Sequence, residues 1–489
     1  MNKLTILMTL FLGIAGLAND GEGYRYYVPL PEKTFSGEWQ YLIEAGVQGE
    51  GEHRIEVIGY NILGMEMTRY EDIVIDGTGG FTFTPFSNQE SKSIAVQSLV
   101  FQSDTEIKGH MWVYNDVTGQ VNAVSINIDQ ANRVVIPQIG TNYFVWRSGF
   151  SLMGIGEESN STNLDFRFYD SDGVSRDTEL WSNFRHQSFL KKTPYFDVLL
   201  GDLDNPVSAN WGEVLCQNSN FSLTGYQSFS RVDGSPQTCT FELNEAPKTS
   251  GSFALYTVGE TSSHWTTFTN PHDFEIVATL TLIYEETLFE EEVESTRIDQ
   301  AKTELIISPH GRFSGIIGQT WFDEVFSDLT KTPLRFEFEI AEEVGPEDEV
   351  IDNSIYAIHF VTDGKDALGA SNVQSPGNDS YFWLSGQEQV ERTLIIQNTE
   401  TQPIVVELSI SATEGKIVGY NRKELGPSES WIIYEDALRD LFKENTTQSF
   451  KFSFTSADGL FTTSMLGLRH TGLALITLPN QVIIAADPE

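Results

Sequence analysis

Residues 252–282, SFALYTVGETSSHWTTFTNPHDFEIVATLTL, are the stretch that decides the fold. The stretch returns 128 positions later as residues 380–410, SYFWLSGQEQVERTLIIQNTETQPIVVELSI, and the two copies align without a gap. The matched positions include Asn270 with Asn398, Phe253 with Tyr381, Phe268 with Ile396, and Leu282 with Ile410. Each copy has the pattern strand, turn, strand, turn, strand, with the asparagine at a turn. The chain is therefore predicted to be an array of similar β modules.

The composition supports strands and argues against several partner classes. The 489 residues include 70 Asp and Glu against 30 Lys and Arg, which gives a formal net charge of −40. A surface this negative repels nucleic-acid phosphates and anionic lipids, so no nucleic-acid partner is expected. Aromatic residues make up 12% of the chain and glycines number 40, a balance that favours strands and turns over helices.

Fainter copies of the repeat lie upstream, where a hairpin around Gly225 matches one around Gly109. We predict an all-β chain, a tandem array of about four immunoglobulin-like or jelly-roll-type β-sandwich modules with few short helices. The predicted modules span residues 19–132, 133–250, 251–377 and 378–489. Because the links are short, the modules are expected to form a semi-rigid row like beads on a string, not a closed array. Residues 431–442 are the best candidate for a helix.

The N-terminus predicts export. Residues 1–18 carry one basic residue, Lys3, then an apolar run, with Gly16 and Ala18 at the −3 and −1 positions of a cleavage site. This pattern is typical of a cleaved signal peptide. No later segment is long enough to span a membrane as a helix. We expect a protein that is secreted, periplasmic or on the cell surface, with no transmembrane segment.

The two cysteines fit an oxidising compartment. Cys216 and Cys239 lie 23 positions apart inside the second predicted module. A disulfide between them would stabilise the module by about 3 kcal/mol through the entropy of loop closure. The alternative is two unpaired buried thiols, since bridging requires a specific geometry.

Several short motifs together resemble a known group of proteins. They are V-x-[IP]-P near a module start, a Trp before an N-[PT] turn, YDSDG, and a late G-x-x-x-[FV] strand. The combination resembles the tandem β-sandwich modules of large secreted proteins of Gram-negative bacteria, most of which have no assigned function. The fourth module departs from the pattern, with Thr393 in place of the Trp. The resemblance implies an extracytoplasmic location and a binding or structural role, and it offers no catalytic residues to transfer.

Alternating aromatic residues are the first candidate ligand site. Trp112 and Tyr114 share one face of a predicted strand, and Tyr381 and Trp383 share one face of another, because side chains alternate with a period of two. Such aromatic platforms stack on sugar rings. The same pattern is also typical of a sandwich core, and that interpretation stays open.

Acidic residues are the second candidate. Asp170 and Asp172, followed by Asp177, resemble half of a calcium loop, whereas a simple hairpin turn explains the same residues. Residues 285–294 and 342–352 are predicted to be exposed acidic loops, with cation binding as the alternative. Calcium is therefore the one ion for which the sequence offers candidate ligands, and no other metal or cofactor is expected.

No catalytic signature stands out. The chain has no G-x-S-x-G motif, and its eight histidines are scattered, with His264 and His272 the closest pair. We therefore expect an exported, non-catalytic multi-module protein that binds an extracellular protein or a glycan, or that has a structural role. The alternative is a carbohydrate-active protein, either a lectin-like binder or a glycoside hydrolase with an unrecognised acid pair.

Overall fold

The computed structural model describes residues 23–481 except 31–38, 86–95, 128–129, 141–145, 157–160, 176–183, 188–190, 193–208, 232–236, 244–245, 258–261, 291–292, 342–352, 365–367, 386–389, 413–415, 435–436, 438–448, 470–471 and 479. The predicted signal peptide, residues 1–18, lies outside this range. The described chain consists of strands with few short helices, so the all-β prediction is confirmed. The strands form eight separate antiparallel sheets.

Each pair of sheets draws its strands from one continuous part of the chain, which we call a unit. Unit 1 contains β1 (Tyr24–Pro29), β2 (Trp39–Val47), β3 (Glu52–Tyr60), β4 (Glu66–Arg69), β5 (Ile73–Asp76), β6 (Gly79–Phe83), β7 (Ser98–Ser103), β8 (Ile107–Asn115) and β9 (Val121–Ser125). Unit 2 contains β10 (Arg133–Ile136), β11 (Trp146–Ile155), β12 (Ser161–Tyr169), β13 (Phe184–Gln187), β14 (Lys191–Lys192), β15 (Trp211–Cys216), β16 (Ser222–Arg231) and β17 (Thr238–Glu242).

The repeated stretches open the remaining two units. Unit 3 contains β18 (Ser250–Ala254), β19 (Ser263–Thr269), β20 (Ile276–Glu290), β21 (Val293–Ile307), β22 (Arg312–Ile316), a π-helical turn (Ile317–Trp321), a short α-helix (Asp323–Phe326), β23 (Lys331–Ile340), β24 (Tyr356–Thr362) and β25 (Leu368–Asn372). Unit 4 contains β26 (Asp379–Ser385), β27 (Glu391–Asn398), β28 (Ile404–Ser411), β29 (Ile417–Leu425), β30 (Ser430–Tyr434), β31 (Ser449–Thr455), β32 (Phe461–Arg469), β33 (Gly472–Leu478) and β34 (Asn480–Gln481).

Each of the two sheets of a unit recurs in the other units with an equivalent strand order. One sheet has the order β1-β7-β3-β4 in unit 1, with β5 also paired to β3, then β10-β15-β12-β13, β18-β23-β20-β21 and β29-β28-β31-β26-β34. The other has the order β6-β2-β8-β9, β14-β11-β16-β17, β22-β19-β24-β25 and β30-β27-β32-β33. Apolar side chains alternate inward along these strands, and in β28 every second residue from Ile404 is buried. In unit 3 the buried side chains of both sheets form one core.

The four units close into a ring. β9 packs against β17, β17 against β25, β25 against β33, and β33 against β9. The expected open row of modules is therefore wrong. The physical reason is that several sheets are apolar on both faces, so the outer face of one unit is buried against the next.

Apolar clusters lie at the four contacts of the ring. Tyr27 and Tyr60 of unit 1 pack with Met153 of unit 2. Units 2 and 3 share a cluster that includes Phe229, Phe241 and Phe360, and units 3 and 4 share one that includes Val361 and Leu466. Trp112 of unit 1 lies in the core of unit 4. Burial of these aromatic and aliphatic groups stabilises the ring at every contact.

The repeated stretch forms three strands in both copies, as predicted. Leu282 lies opposite Phe336 in unit 3, and Ile410 lies opposite Phe452 in unit 4. The first strand, however, is shifted by one residue between the copies, because Phe253 lies opposite Phe336 whereas Phe382 lies opposite Phe452. Tyr381 therefore does not correspond to Phe253, and since strand side chains alternate, it occupies the opposite face of its sheet.

The structure corrects two local predictions. The helix expected at residues 431–442 does not form over residues 431–434, which belong to the strand β30 and bury Trp431 and Ile433 on alternate positions. Residues 435–436 and 438–442 lie outside the described residues. The expected acidic loop at residues 285–294 lies in the paired strands β20 and β21, which form a hairpin of 15 residues a side. Thr287, inside the expected loop, pairs with Thr296 across the hairpin, so the strand pairing continues into this segment. The second acidic segment, residues 342–352, lies outside the described residues.

Candidate functional site

The contact between unit 1 and unit 4, which we call the seam, joins the first and last parts of the chain. Trp383 of β26 has no exposed surface and lies flat against β2 and β6. A Cβ atom at Gly46 would come within 2.2 Å of the Trp383 ring, and one at Gly80 within 2.5 Å. Glycine at these two positions therefore permits the two sheets to approach closely.

A buried carboxylate lies at the centre of the seam. Glu44 of β2 has no exposed surface. One of its oxygens, Oε1, accepts hydrogen bonds from Arg392 Nη1 at 2.8 Å, from the Ser385 backbone N–H at 2.7 Å and from the Ser385 hydroxyl. The other, Oε2, accepts from Trp112 Nε1 at 2.8 Å and lies 3.1 Å from His110 Nε2. Glu44 belongs to unit 1, whereas Arg392 and Ser385 belong to unit 4. The Glu44 cluster therefore joins the first and last units of the chain by hydrogen bonds.

The surroundings of Glu44 keep its carboxylate ionised. Burial alone would raise the pKa of Glu44, but the charge of Arg392 and the hydrogen bonds from His110 and Ser385 outweigh it and hold the pKa well below its usual range. Arg392 is also buried. A carboxylate that is surrounded by donors and sealed from solvent stays ionised and has no free lone pair directed at a substrate. The arrangement fits a structural ion pair.

A polar pocket opens beside the Glu44 cluster. It has a volume of about 400 Å³ and is lined by residues of both units: Gln48, Glu106, Lys108, Asp379, Tyr381, Lys451 and Ser453. Two ammonium groups lie over the ring of Tyr381, with Lys108 Nζ and Lys451 Nζ each 4.5 Å from its centroid. A volume of this size accommodates a small organic ligand.

Burial perturbs the titratable groups that line the pocket. Burial lowers the pKa of Lys451, and the neighbouring Lys108 lowers it further while Asp379 opposes the shift. Burial raises the pKa of Asp379, against the charges of the two lysines. Burial also raises the pKa of the Tyr381 hydroxyl. Perturbed groups that converge on one pocket are a recognised mark of a functional site.

Of the four predicted aromatic candidates, Tyr381 alone lines this pocket. Trp112 and Trp383 are fully buried at the seam, so neither ring has a face open to a sugar. Tyr114 is also buried, and the Arg469 guanidinium lies 4.4 Å from its ring centroid. These three aromatic residues are packing residues because the seam covers the outer face of the β2–β8 sheet.

The predicted disulfide is absent. Cys216 and Cys239 are both free, and Cys239 is buried. They lie in opposite sheets of unit 2, Cys216 at the end of β15 and Cys239 in β17, where it packs with Phe360 of unit 3. Burial raises the pKa of the Cys216 thiol to about 12, so the thiol stays protonated at neutral pH.

The predicted calcium turn holds units 2 and 3 together. Asp170 Oδ1 accepts hydrogen bonds from the backbone N–H groups of Asp172 and Val174, so it closes its own turn. Ser171 O accepts a bond from the backbone N–H of Arg312, in unit 3, at 3.0 Å. Asp177, the third candidate ligand, lies outside the described residues. Within the described part of the chain, no three acidic, histidine or cysteine side chains are grouped as metal ligands.

Gly173 offers a test of this contact. Its φ is +84°, and a Cβ there would come within 1.9 Å of Pro309 O. We expect Gly173→Ala to lower the free energy of unfolding by about 2–3 kcal/mol, from backbone strain plus separation of units 2 and 3. Gly51→Ala is the matched control, because Gly51 has a φ of +87° and open space around its Cβ position. Equal losses in urea denaturation of the two variants would contradict the docking role.

A histidine pair is buried in unit 3. His264 Nδ1 lies 2.9 Å from His359 Nε2, and His264 Nε2 lies 2.7 Å from the Tyr256 carbonyl oxygen. Phe253 stacks on His359 at 3.8 Å between ring centroids. His272, the histidine closest to His264 along the chain, bonds to Ser354 O instead. Burial lowers the pKa of His264 to about 4, and burial together with His264 holds the pKa of His359 well below its usual value.

This pair predicts acid lability. Both histidines are neutral in the folded protein, whereas in the unfolded chain they take up protons below pH 6.5. The free energy of unfolding should therefore fall as the pH drops from 6.5 toward 4, by about 1.4 kcal/mol per pH unit for each proton that only the unfolded chain binds. Melting temperatures measured between pH 7.5 and 4.5 test the slope. The variant in which His264→Gln and His359→Gln are combined should flatten it, and an unchanged slope would contradict the assignment.

Sequence reasoning missed the Glu44 cluster and the pocket. His110 and Trp112 are two residues apart on one strand, so their shared face was readable, and Glu44 lies opposite His110 on the neighbouring strand. The signal available in the sequence was Glu44, a charged residue that shares a strand face with Leu42 and lies near Trp112. Its partner Arg392 lies 348 positions away, and no local pattern connects the two.

No family model matches the chain, and no curated protein matches it. Among solved structures, a red sea bream transglutaminase is 10% identical, with a TM-score of 0.11, over 49% of this chain and 32% of that one. A glycoside hydrolase family 32 structure from Bifidobacterium adolescentis is 9% identical, with a TM-score of 0.15, over 92% and 99% of the two chains. At these scores neither likeness supports an inference about fold or function. No helix in the described residues is both long enough and apolar enough to cross a membrane.

Proposed function

We propose that the protein is an exported, non-catalytic binding protein made of four β-sandwich modules, immunoglobulin-like or jelly-roll-type, that recognises an extracellular glycan or protein. The observation that carries this proposal is the pocket at the seam, where Tyr381, two lysines and two carboxylates from both ends of the chain converge. The closed ring is a rigid support for such a pocket, because apolar clusters fix every unit to its neighbours.

The location of the protein follows from the sequence and remains part of the proposal. The signal-like pattern of residues 1–18 supports secretion to the periplasm, the cell surface or the medium. The acidic surface favours solubility and disfavours phosphate-rich partners.

Binding of the purified chain to a glycan array and to immobilised extracellular proteins tests the proposal. Tyr381→Ala should abolish the strongest binding, because Tyr381 is the aromatic side chain that lines the pocket. Tyr420→Ala is the matched control, since Tyr420 is 60% exposed on β29 and lies outside the pocket. Binding that survives Tyr381→Ala, or no binding to either panel, would overturn the role of the pocket.

A carbohydrate-active enzyme is the second candidate. Glu106 and Asp379 line the same pocket, and burial raises the pKa of Asp379, as required of a general acid paired with an ionised carboxylate. Turnover of a polysaccharide panel that is lost in Asp379→Asn and Glu106→Gln would establish the enzyme. Binding without turnover would leave the non-catalytic role.

A further inference from the structure

We propose that the pocket at the seam takes an acidic saccharide, with a carboxylate or sulfate of the sugar held between Lys108 and Lys451. The proposal rests on the binding role of the pocket and specifies its ligand class. It is argued from the state of the two lysines, from the polar groups around them and from the size of the pocket.

The charge of Asp379 acts on both lysines from the wall of the pocket, without a close ion pair to either. Among the described residues, neither Lys108 nor Lys451 makes an ion pair or a hydrogen bond through its ammonium group, and the contact of each is the face of Tyr381. Both lysines lie 4.5 Å from one ring centroid, so their ammonium groups are no more than about twice that distance apart.

The closeness of Lys108 and Lys451 raises the free energy of their charged forms. Burial lowers the pKa of Lys451, Asp379 opposes this shift and Lys108 adds to it, so the charged form of Lys451 is on balance destabilised. An oxyanion between the two ammonium groups would reverse this, through charge-assisted hydrogen bonds in a partly desolvated site. Lysines on different units would then bind one ligand across the seam.

The remaining lining groups favour a hydroxylated ligand over a bare ion. The carboxylates of Asp379 and Glu106 can accept hydrogen bonds from the hydroxyl groups of a ligand. Gln48 and Ser453 both donate and accept. A pocket of about 400 Å³ is far larger than a sulfate ion and suits a sugar residue. Together these groups fit a sugar that carries one negative group and several hydroxyls.

Isothermal titration with three probes tests the proposal: a galacturonate trimer, a glucose trimer and inorganic sulfate. We expect the galacturonate trimer to bind at least about tenfold more tightly than the glucose trimer and to weaken as salt rises. Lys108→Gln and Lys451→Gln should each lower its affinity at least about tenfold. Lys416→Gln, an exposed lysine on another surface, should leave affinity unchanged.

Other outcomes separate this proposal from the broader one. Equal binding of neutral and acidic trimers, lost in Tyr381→Ala but not in the lysine variants, would overturn the acidic ligand and keep the binding role. Sulfate binding that matches the galacturonate trimer would overturn the saccharide. If no probe binds, the acidic saccharide is overturned, and the array experiment with Tyr381→Ala then decides the binding role by itself.

Discussion

Replacing Glu44 with alanine should lower the free energy of unfolding by about 3–5 kcal/mol, because the buried Arg392 would lose the carboxylate that neutralises its charge at the seam. The Trp112 indole N–H and the Ser385 N–H would lose their acceptor in the same variant. Since these groups join the first and last units, the ring should also open at this contact. Urea denaturation measures the loss, and small-angle scattering should show an increased radius of gyration.

Two further variants separate a specific ion pair from general disruption. Replacing both charges, with Glu44→Met and Arg392→Met together, should recover most of the lost stability, because a buried ion pair and an apolar pair of similar volume differ little in free energy. Glu66→Ala removes an exposed partner of Arg69 and should cost less than about 1 kcal/mol. A Glu44→Ala loss as small as that of Glu66→Ala would refute the role of the cluster in closing the ring.

Replacing Asn270 or Asn398 with alanine is the second large effect, expected at about 2–4 kcal/mol for each. Both side chains are fully buried and make equivalent hydrogen bonds. Asn270 Nδ2 donates to the carbonyls of Phe274, Ile307 and Ser308, and Asn398 Nδ2 donates to those of Gln402, Leu425 and Gly426. Alanine leaves three carbonyl oxygens with no donor from this position.

Matched variants test the donor role. Asn270→Asp and Asn398→Asp keep the size of the side chain but direct a carboxylate oxygen at the same carbonyls, so each should destabilise more than alanine. Asn61→Ala is the control, because Asn61 closes a half-exposed turn through its Oδ1 alone and should cost about 1 kcal/mol or less. Chemical denaturation in which all three alanine variants behave alike would reject the account.

The repeated asparagines show where sequence reasoning works. The gapless match placed Asn270 on Asn398 at a turn between two strands, and the structure gives both the same position, after β19 and at the end of β27. Equivalent hydrogen bonds explain the identity, since no other side chain of that size supplies the amide donor and acceptor together. Local alternation likewise predicted the strands β20 and β28.

The aromatic residues show where it fails. Trp112 shares a strand face with Tyr114, and Trp383 with Tyr381, a pattern typical both of a sugar platform and of a core. The one-residue shift between Phe253 and Phe382 turns Tyr381 and Trp383 toward unit 1, and a gapless alignment conceals such a shift. The sequence pattern of these aromatic residues is therefore the same whether they are buried at the seam or exposed to a ligand.

The sequence by itself determined the local structure of this protein: strands from period-two alternation, turns from Asn and Gly, and a repeated three-strand stretch. Only the tertiary structure decided that the ring closes, that Glu44 meets Arg392, and that Lys108 and Lys451 converge on Tyr381. The physical reason is that alternation specifies which side chains share a face within one sheet, whereas the identity of the covering unit depends on shape and charge complementarity between residues hundreds of positions apart.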